Sequence, residues 1–322
     1  MAEEEDYAIV VENLTRTFRS FTPNSPEKIA VNDISFKVRR GEIYGILGPN
    51  GAGKTTTIKM LSTLLMPSSG SAVVLGSDIS VERNARSLRK SINVVSGGER
   101  GLYYRLSGRQ NLEFFADLYG IPKKEQRVML DELLSLVELT EAADVKTENY
   151  SRGMKQRIHI ARALVNSPKI LYLDEPTIGL DPEISRGIRA LIRTLSDRGT
   201  TIILTTHYMQ EAEELCDNMI ILSGGRIVGR GSVEEIKNSI SDISSIHIVT
   251  ESDPSDVVSS LNDADVSTVR LLNGRYDTKL VTKKDEDSIE TYEDLFRPFK
   301  IKSIGIEEPT LEDAYLTLVK EE

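Results

Sequence analysis

Short apolar runs alternate with amphipathic segments over most of the chain, and this alternation predicts the order of strands and helices. Apolar runs at residues 43–47 and 170–173 have the length of buried strands. Residues 105–165 are mostly helical in pattern, whereas residues 169–232 return to strand–helix alternation. Because such alternation builds parallel sheets, the pattern predicts an α/β fold, with closing hairpin strands near residues 223–232.

A change of composition near residues 239–245, which are rich in Ser and Asp, predicts a domain boundary. We expect one domain over residues 1–240, with a helical subdomain at about 100–165, and an accessory domain over residues 241–322.

The accessory domain has the pattern of a small α+β fold. Asn273-Gly274 is a hairpin turn signal, and Thr310 and Asp313 have the spacing of a helix capping box. The predicted strands cover residues 246–249, 267–272 and 279–282, and the predicted helices cover residues 254–261, 288–297 and 310–320.

Residues 48–55 read GPNGAGKT and fit the phosphate-loop pattern G-x-x-x-x-G-K-[ST] without a mismatch. A strand precedes the motif and a helix follows it, so that glycines and successive N–H groups can face an anion. Lys54 is expected to reach the β- and γ-phosphates, and the Thr55 hydroxyl is expected to ligate Mg²⁺. The predicted nucleotide-binding residues of this segment are Gly48, Pro49, Asn50, Gly51, Ala52, Gly53, Lys54, Thr55 and Thr56.

Two acidic residues and a histidine follow apolar runs further along the chain. Asp174 ends one run, where a buried carboxylate needs a partner, and a Mg²⁺ ion shared with Thr55 is such a partner. Glu175 can point toward an attacking water as a general base. His207 follows another run, at the sheet edge where ligands bind, and could hydrogen-bond a γ-phosphate. Taken alone, each has a plain alternative, a solvated strand end or a structural histidine.

These motifs, in this order, resemble those of the nucleotide-binding subunits of ABC transporters. ILYLDE at residues 170–175 resembles the Walker B strand with its catalytic glutamate, and GPNGAGKT resembles Walker A. GLD at residues 179–181 resembles the D-loop, TTH at 205–207 the H-loop, and YSRGM at 150–154 the ABC signature. The tail PTLEDAYLTLV resembles that of daunorubicin-resistance-type ATP-binding proteins, so the resemblance covers nearly the whole chain.

The resemblance implies a P-loop ABC-type ATPase domain with a mixed sheet and a helical subdomain, using ATP and Mg²⁺. Subunits of this family pair head-to-tail around ATP, so Ser151, Gly153 and Asp181 of one copy are expected at the nucleotide of the other. Ser151 is also expected to cap its helix. Phe18 sits where the family places an adenine-stacking aromatic, although Phe21 is a competitor and a core role for either is an alternative.

The chain departs from the family pattern in two places. No glutamine stands where the family places one that ligates Mg²⁺. Glu99 is the nearest polar residue, and either it replaces the glutamine or that metal contact is missing, since Gln110 falls inside the next helix. The signature segment differs from the usual family signature at Tyr150, Arg152 and Met154. Such variants occur among drug-resistance-type exporter ATPases.

Composition limits the classes of protein and partner. The chain has 322 residues, which suits about two domains, and its single cysteine excludes an internal disulfide framework. Residues 241–322 carry 19 acidic and 9 basic residues, against 31 of each in the rest, so the accessory domain is acidic. The sequence lacks a basic stripe of the kind that binds nucleic acid. The acidic start, MAEEEDYA, lacks a signal-peptide core, and no run approaches the ~18 apolar residues of a membrane helix.

We therefore expect the ATP-binding and hydrolysing subunit of an ABC exporter, peripheral at the cytoplasmic face of the cell membrane. Its expected partners are a separate integral membrane permease and a second copy of itself in an ATP-sandwich dimer. One alternative is a soluble ABC ATPase acting on the ribosome or DNA, which the single cassette disfavours. Another is a weakly hydrolysing nucleotide sensor, which only the missing glutamine favours. The motifs do not specify the cargo.

Overall fold

The computed structural model describes residues 6–19, 27–96, 101–240, 243–259, 261, 265–283 and 288–320. The chain divides into two compact units, Met1–Ser232 and Val233–Glu322. The helix at Val233–Asn238 belongs to the second unit, so the division falls eight residues before the predicted boundary at residue 240.

The first unit combines two sheets with helices. Its strands are β1 (Tyr7–Phe18), β2 (Lys28–Arg39), β3 (Ile43–Leu47), β4 (Ser69–Val74), β5 (Ser77–Asp78), β6 (Ile92–Ser96), β7 (Ile170–Asp174), β8 (Thr201–Thr206), β9 (Asn218–Ser223) and β10 (Arg226–Gly231). Its helices are α1 (Lys54–Leu61), α2 (Glu82–Leu88), α3 (Gly108–Leu118), α4 (Lys123–Leu136), α5 (Arg152–Leu164), α6 (Pro182–Asp197) and α7 (Met209–Leu215).

The larger sheet has six strands in the order β10-β9-β3-β8-β7-β6. Its neighbours pair in parallel except for β9 and β10, which form the predicted closing hairpin. The smaller sheet is antiparallel, in the order β2-β1-β4-β5. The predicted mixed-sheet α/β fold is confirmed. Because β3, β8 and β7 are adjacent and parallel, their carboxyl ends lie together at one edge, which is where ligands bind in such sheets.

One cluster of buried apolar side chains joins the two sheets. Every residue of β3 and of β7 is buried, as expected for central parallel strands that are covered on both faces. The hydroxyl of Tyr172, a fully buried residue of β7, donates to the carbonyl oxygen of Leu61 in α1 at 3.3 Å. This packing fixes α1 against the strand that ends in Asp174.

The helical region contains α3, α4 and α5. A capping box begins α3, in which the Ser107 hydroxyl accepts from the Gln110 amide at 3.2 Å and the Gln110 side chain accepts from the Ser107 amide at 3.0 Å. Gln110 thus lies in a helix, as predicted, and its side chain is used by the cap. An ion pair of 2.6 Å between Arg157 and Glu138 links α5 to the residues that follow α4.

The second unit has the β-α-β-β-α-β order of ferredoxin-like folds and an antiparallel sheet in the order β12-β13-β11-β14. A small core of Ile246, Ile248, Leu280 and Phe296 lies on one face of the sheet. The elements are α8 (Val233–Asn238), β11 (Ile243–Thr250), α9 (Ser255–Val258), β12 (Asp265–Arg270), β13 (Tyr276–Lys283), α10 (Ser288–Phe296), β14 (Ile301–Glu307) and α11 (Leu311–Lys320).

The last helix, α11, begins at the predicted capping box. The Thr310 hydroxyl accepts from the Asp313 amide at 3.2 Å, and the Asp313 carboxylate accepts from the Thr310 amide at 2.9 Å. The same buried carboxylate pairs with Lys279 of β13 at 2.8 Å. Asp313 therefore fixes α11 to the sheet as well as capping it.

Candidate nucleotide-binding and catalytic site

The phosphate loop joins β3 to α1 in a backbone conformation that requires glycine. Gly53 caps α1 with a φ of 108°, in the left-handed region that other residues rarely adopt. A Cβ atom at this position would also lie 2.5 Å from the carbonyl oxygen of Ala30. Loop N–H groups and the start of α1 therefore form a surface of the kind that binds phosphate.

The amine of Lys54 lies within this loop. Its side chain is buried, and Nζ donates to the carbonyl oxygens of Gly48 at 2.7 Å and Pro49 at 3.2 Å. Nζ also lies 3.5 Å from Oε1 of Glu175. A buried positive charge is thus held between the loop and a carboxylate, where it attracts an anion bound in the loop.

Asp174 ends β7 beside the first turn of α1. Its carboxylate accepts from the Thr55 hydroxyl at 2.9 Å and from the Thr205 hydroxyl at 2.6 Å. These two hydroxyl donors stabilise a carboxylate that is buried. Thr205 belongs to the TTH segment, but the motif does not mark it as a partner of Asp174. Only the pairing of β7 with β8, which sets Thr205 opposite Asp174, reveals this contact.

Glu175 follows with a left-handed backbone, at a φ of 52°. A non-glycine residue there costs about 1–2 kcal/mol, and such strain concentrates at functional sites. The Glu175 amide donates to the carbonyl oxygen of Thr205 at 3.1 Å. Oε1 of the side chain lies 3.1 Å from Nδ1 of His207, so the two predicted catalytic side chains are in hydrogen-bonding contact.

A cavity of about 530 Å³ opens in front of the phosphate loop. Phe18, at the end of β1, and Ile178 line it with apolar surface, and the guanidinium of Arg16 lies 4.7 Å from the centre of the Phe18 ring. The cavity is lined by Phe18, Lys28, Ala30, Pro49, Asn50, Gly51, Gly53, Lys54, Thr55, Thr56, Asp174, Glu175 and Ile178. Glu99 and Phe21 lie outside the described residues.

The signature and D-loop residues do not line this cavity. Ser151 caps α5, and its hydroxyl accepts from the Met154 amide at 3.2 Å, as predicted. Gly153 is buried, and a Cβ there would lie 2.6 Å from Cγ2 of Ile184 in α6. Asp181, at the start of α6, is exposed. Within one chain, Gly153 is therefore needed for close packing of α5 on α6.

A buried carboxyl group lies behind the Glu175–His207 pair. The Thr177 hydroxyl donates to Oε1 of Glu211, in α7, at 2.8 Å. Burial raises the pKa of Glu211, while nearby Thr206 and Thr177 hydroxyls oppose that rise. Neither Thr177 nor Glu211 is marked by a motif, and the one sequence signal is that Glu211 precedes Ala212 on the buried face of α7.

Together, the fold and this site define a P-loop nucleotide hydrolase. Its carboxylate Glu175 directly follows Asp174, the aspartate at the metal-binding position. Among the described residues, no group of three His, Cys, Asp or Glu side chains could hold a metal ion by itself. A hydroxyl and a carboxylate, Thr55 and Asp174, instead present the hard oxygen donors that suit an ion shared with nucleotide phosphates.

Comparison with known proteins identifies the family. Residues 31–178 match the family model described as ABC transporter. The chain is 40% identical over 238 residues to the doxorubicin resistance ATP-binding protein DrrA of Mycobacterium tuberculosis, covering 74% of this chain and 70% of that protein. It is 42% identical over 215 residues to the Nod factor export ATP-binding protein I of Burkholderia orbicola, covering 67% and 70%.

A solved ATP-binding cassette, a dimer in a post-hydrolysis state with ADP and Pi, matches with a TM-score of 0.63 and 25% identity over 70% of this chain and 98% of that one. The chain belongs to the ABC transporter family, as one of its ATP-binding proteins. It binds ATP and is an ATP hydrolase of the ABC type, which confirms the predicted family, fold and enzyme class. The ribosome, DNA and sensor alternatives are not favoured. In the described part of the chain, no helix is long and apolar enough to cross a membrane.

Proposed function

We propose that this chain is the ATP-hydrolysing subunit of an exporter and drives transport through a separate membrane permease. Relatives named for doxorubicin resistance and for Nod factor export support the assignment to export. We place the chain at the cytoplasmic face of the membrane, as a peripheral protein. The observation that carries the proposal is the arrangement of Lys54, Glu175 and His207 around a phosphate loop that also adjoins Asp174.

In this proposal, the loop N–H groups and Lys54 bind the β- and γ-phosphates of ATP. Thr55 and Asp174 would hold Mg²⁺, which when bound neutralises phosphate charge as hydrolysis proceeds. The Lys54 amine has two backbone carbonyl partners, and phosphate oxygens are stronger acceptors because they are charged.

Glu175 acts as the general base in the proposed reaction. Its carboxylate accepts the proton of the attacking water, and the contact with Nδ1 of His207 keeps that carboxylate in place. The other ring nitrogen of His207 is then free of Glu175 and suits a hydrogen bond to the γ-phosphate. Phe18 offers a ring on which adenine can stack.

A second copy of the chain completes the site in our proposal. Ser151 and Asp181 are exposed at the starts of α5 and α6, Gly153 is buried beside them against Ile184, and none of the three lines the cavity of its own chain. Head-to-tail pairing would bring them to the nucleotide of the partner. Glu99 remains our candidate for a further Mg²⁺ contact.

The test is ATP binding by isothermal calorimetry in the presence of Mg²⁺, combined with phosphate release. Lys54→Ala removes a buried charge next to the phosphates and should weaken ATP binding by at least tenfold, since a hydrogen bond to a charged group contributes about 1.5–3 kcal/mol. Lys59→Ala, an exposed position of the same helix, is the matched control and should bind like the wild type. Equal ATP affinity in the Lys54 variant and the wild type would contradict the assigned site.

A further inference from the structure

Glu211 is a buried acidic residue that the proposed reaction does not use. It is 2% exposed and lies in α7, just after the loop that carries His207. Its Oε1 atom accepts from the hydroxyl of Thr177, which is itself 5% exposed and follows Glu175 by two residues. The carboxyl group therefore touches the segment that carries the proposed base.

The second oxygen of this carboxyl group has an unusual environment. Oε2 is buried and has no hydrogen-bond partner within the described part of the chain. The Thr206 side chain, which directly precedes His207, adjoins the carboxyl group, and its hydroxyl accepts from the Tyr208 amide at 3.0 Å. Glu211 thus lies between the segment after Glu175 and the segment before His207.

Within the described residues, Glu211 makes no ion pair. The Arg189 guanidinium of α6 and the His207 ring lie near enough to influence it. The Arg189 guanidinium is 2.6 Å from Glu214, so its nearest partner is another carboxylate. Cys216, at the end of α7, is a buried free thiol nearby. An ionised carboxylate here would be buried with one hydrogen bond, whereas an uncharged acid avoids that cost and has an O–H to donate.

We propose that Glu211 is a positioning residue that works as an uncharged carboxylic acid. It accepts from Thr177 and turns its O–H toward Thr206, and so holds the Glu175 segment and the His207 segment at a fixed separation. The 3.1 Å contact between Glu175 and His207 depends on these two hydrogen bonds of Glu211. The inference rests on the proposed roles of these two residues in ATP hydrolysis.

If Glu211 is an uncharged acid, a glutamine at this position should serve equally well. Its amide oxygen can accept from Thr177, and its NH₂ group can donate to Thr206, so Glu211→Gln keeps both contacts without a titratable group. Glu211→Ala removes both contacts, and Thr177→Val removes one of them from the other side while preserving shape.

The experiment measures kcat and KM for ATP in the full-length chain, together with ATP affinity by calorimetry. We expect Glu211→Gln to stay within about twofold of the wild type. Glu211→Ala and Thr177→Val should lose about 10- to 100-fold in kcat at unchanged KM and affinity, because a base misplaced by about 1 Å can cost that much. Gln210→Ala, an exposed neighbour in the same helix, should behave like the wild type.

Each outcome is decisive. If Glu211→Gln loses as much kcat as Glu211→Ala, the carboxyl group is needed in its charged form and the inference is wrong. If Thr177→Val and Glu211→Ala change only the unfolding temperature, with normal kcat for the folded protein, Glu211 is merely structural. Should Glu211→Ala not fold, the Thr177 and Gln variants still give the answer. A wild type without ATP hydrolysis would overturn the proposed function, and this inference with it.

Discussion

Glu175→Gln separates the two effects of the Glu175 carboxylate, which serves as the proposed base and also faces Lys54. Glutamine has nearly the same shape, so the left-handed backbone at this position and the contact with His207 can persist. The variant loses the negative charge and the ability to take a proton. We expect slower hydrolysis and tighter ATP binding.

The magnitudes follow from the distances. Loss of a general base typically lowers turnover by about 10²–10⁴-fold. At the 3.5 Å separation of Lys54 Nζ and Glu175 Oε1, the gross attraction is about 5 kcal/mol at an effective dielectric constant of ~20. Most of this is offset by the cost of desolvating both groups, so we expect a net effect of about 1 kcal/mol. The freed Lys54, and the absence of repulsion toward the γ-phosphate, should make ATP bind roughly fivefold more tightly.

The assays are single-turnover ATP hydrolysis, calorimetric ATP affinity, and light scattering with ATP and Mg²⁺. Because the uncleaved nucleotide should hold two chains together, the variant should scatter as a dimer. Hydrolysis at the wild-type rate would refute Glu175 as the base. A variant that binds ATP tightly but stays monomeric would refute the sandwich dimer, and weaker binding than in the wild type would refute the electrostatic argument.

Three further predictions concern the second unit. In denaturant unfolding, Asp313→Ala should lower the free energy of unfolding of that unit by about 2–3 kcal/mol. This is less than for a fully buried ion pair because the Lys279 side chain is 22% exposed. Glu312→Ala, at the exposed neighbouring position, is the control and should change this free energy little. Burial raises the pKa of Asp313, but hydrogen bonds from Lys279 and Thr310 outweigh this effect and lower the pKa overall. The contribution of Asp313 to the stability of the folded unit is therefore complete above the unfolded pKa near ~4 and should be lost as the pH falls below it. A second unit whose stability does not change with acid would contradict this. A chain that ends at Ser232 should still bind ATP by calorimetry, because every residue that lines the cavity precedes Ser232, but we expect the second unit to act on the ATPase dimer, so dimerisation or hydrolysis with the permease should change. A truncated chain that matches the whole in dimerisation and in hydrolysis would contradict such an effect of the second unit.

The parts of the site that lie close together in sequence were predictable. A strand, a glycine-rich loop and a helix are consecutive around Lys54, and the apolar run before Asp174 marks a buried strand end. The pairing of Asp174 with Thr55 was also predictable, from the expected shared Mg²⁺, but the other contacts between distant segments were not, because they depend on which strands are neighbours. Thr205 meets Asp174 only through the pairing of β7 with β8, and Glu211 meets Thr177 only through the fold of α7.

In the second unit, the hairpin turn, three strands and the α11 cap followed from local signals. The fourth strand, β14, escaped prediction because its apolar residues do not alternate regularly and most of its side chains are exposed. The unit also begins earlier than the change in composition indicated, since α8 precedes the Ser- and Asp-rich segment but belongs to the second unit, where it contacts α11.

The close packing of Gly153 on Ile184 has a consequence for how the molecule can move. With no side chain at residue 153, the backbone at the start of α5 lies directly against the Ile184 side chain of α6, whose first turn follows the D-loop. Because this contact is so close, we expect a displacement of one segment to be transmitted to the other. We therefore expect the helix starts at Ser151 and Asp181 to move together as one rigid body. A substitution at residue 153 should change the rate at which both helix starts move, even in a monomer.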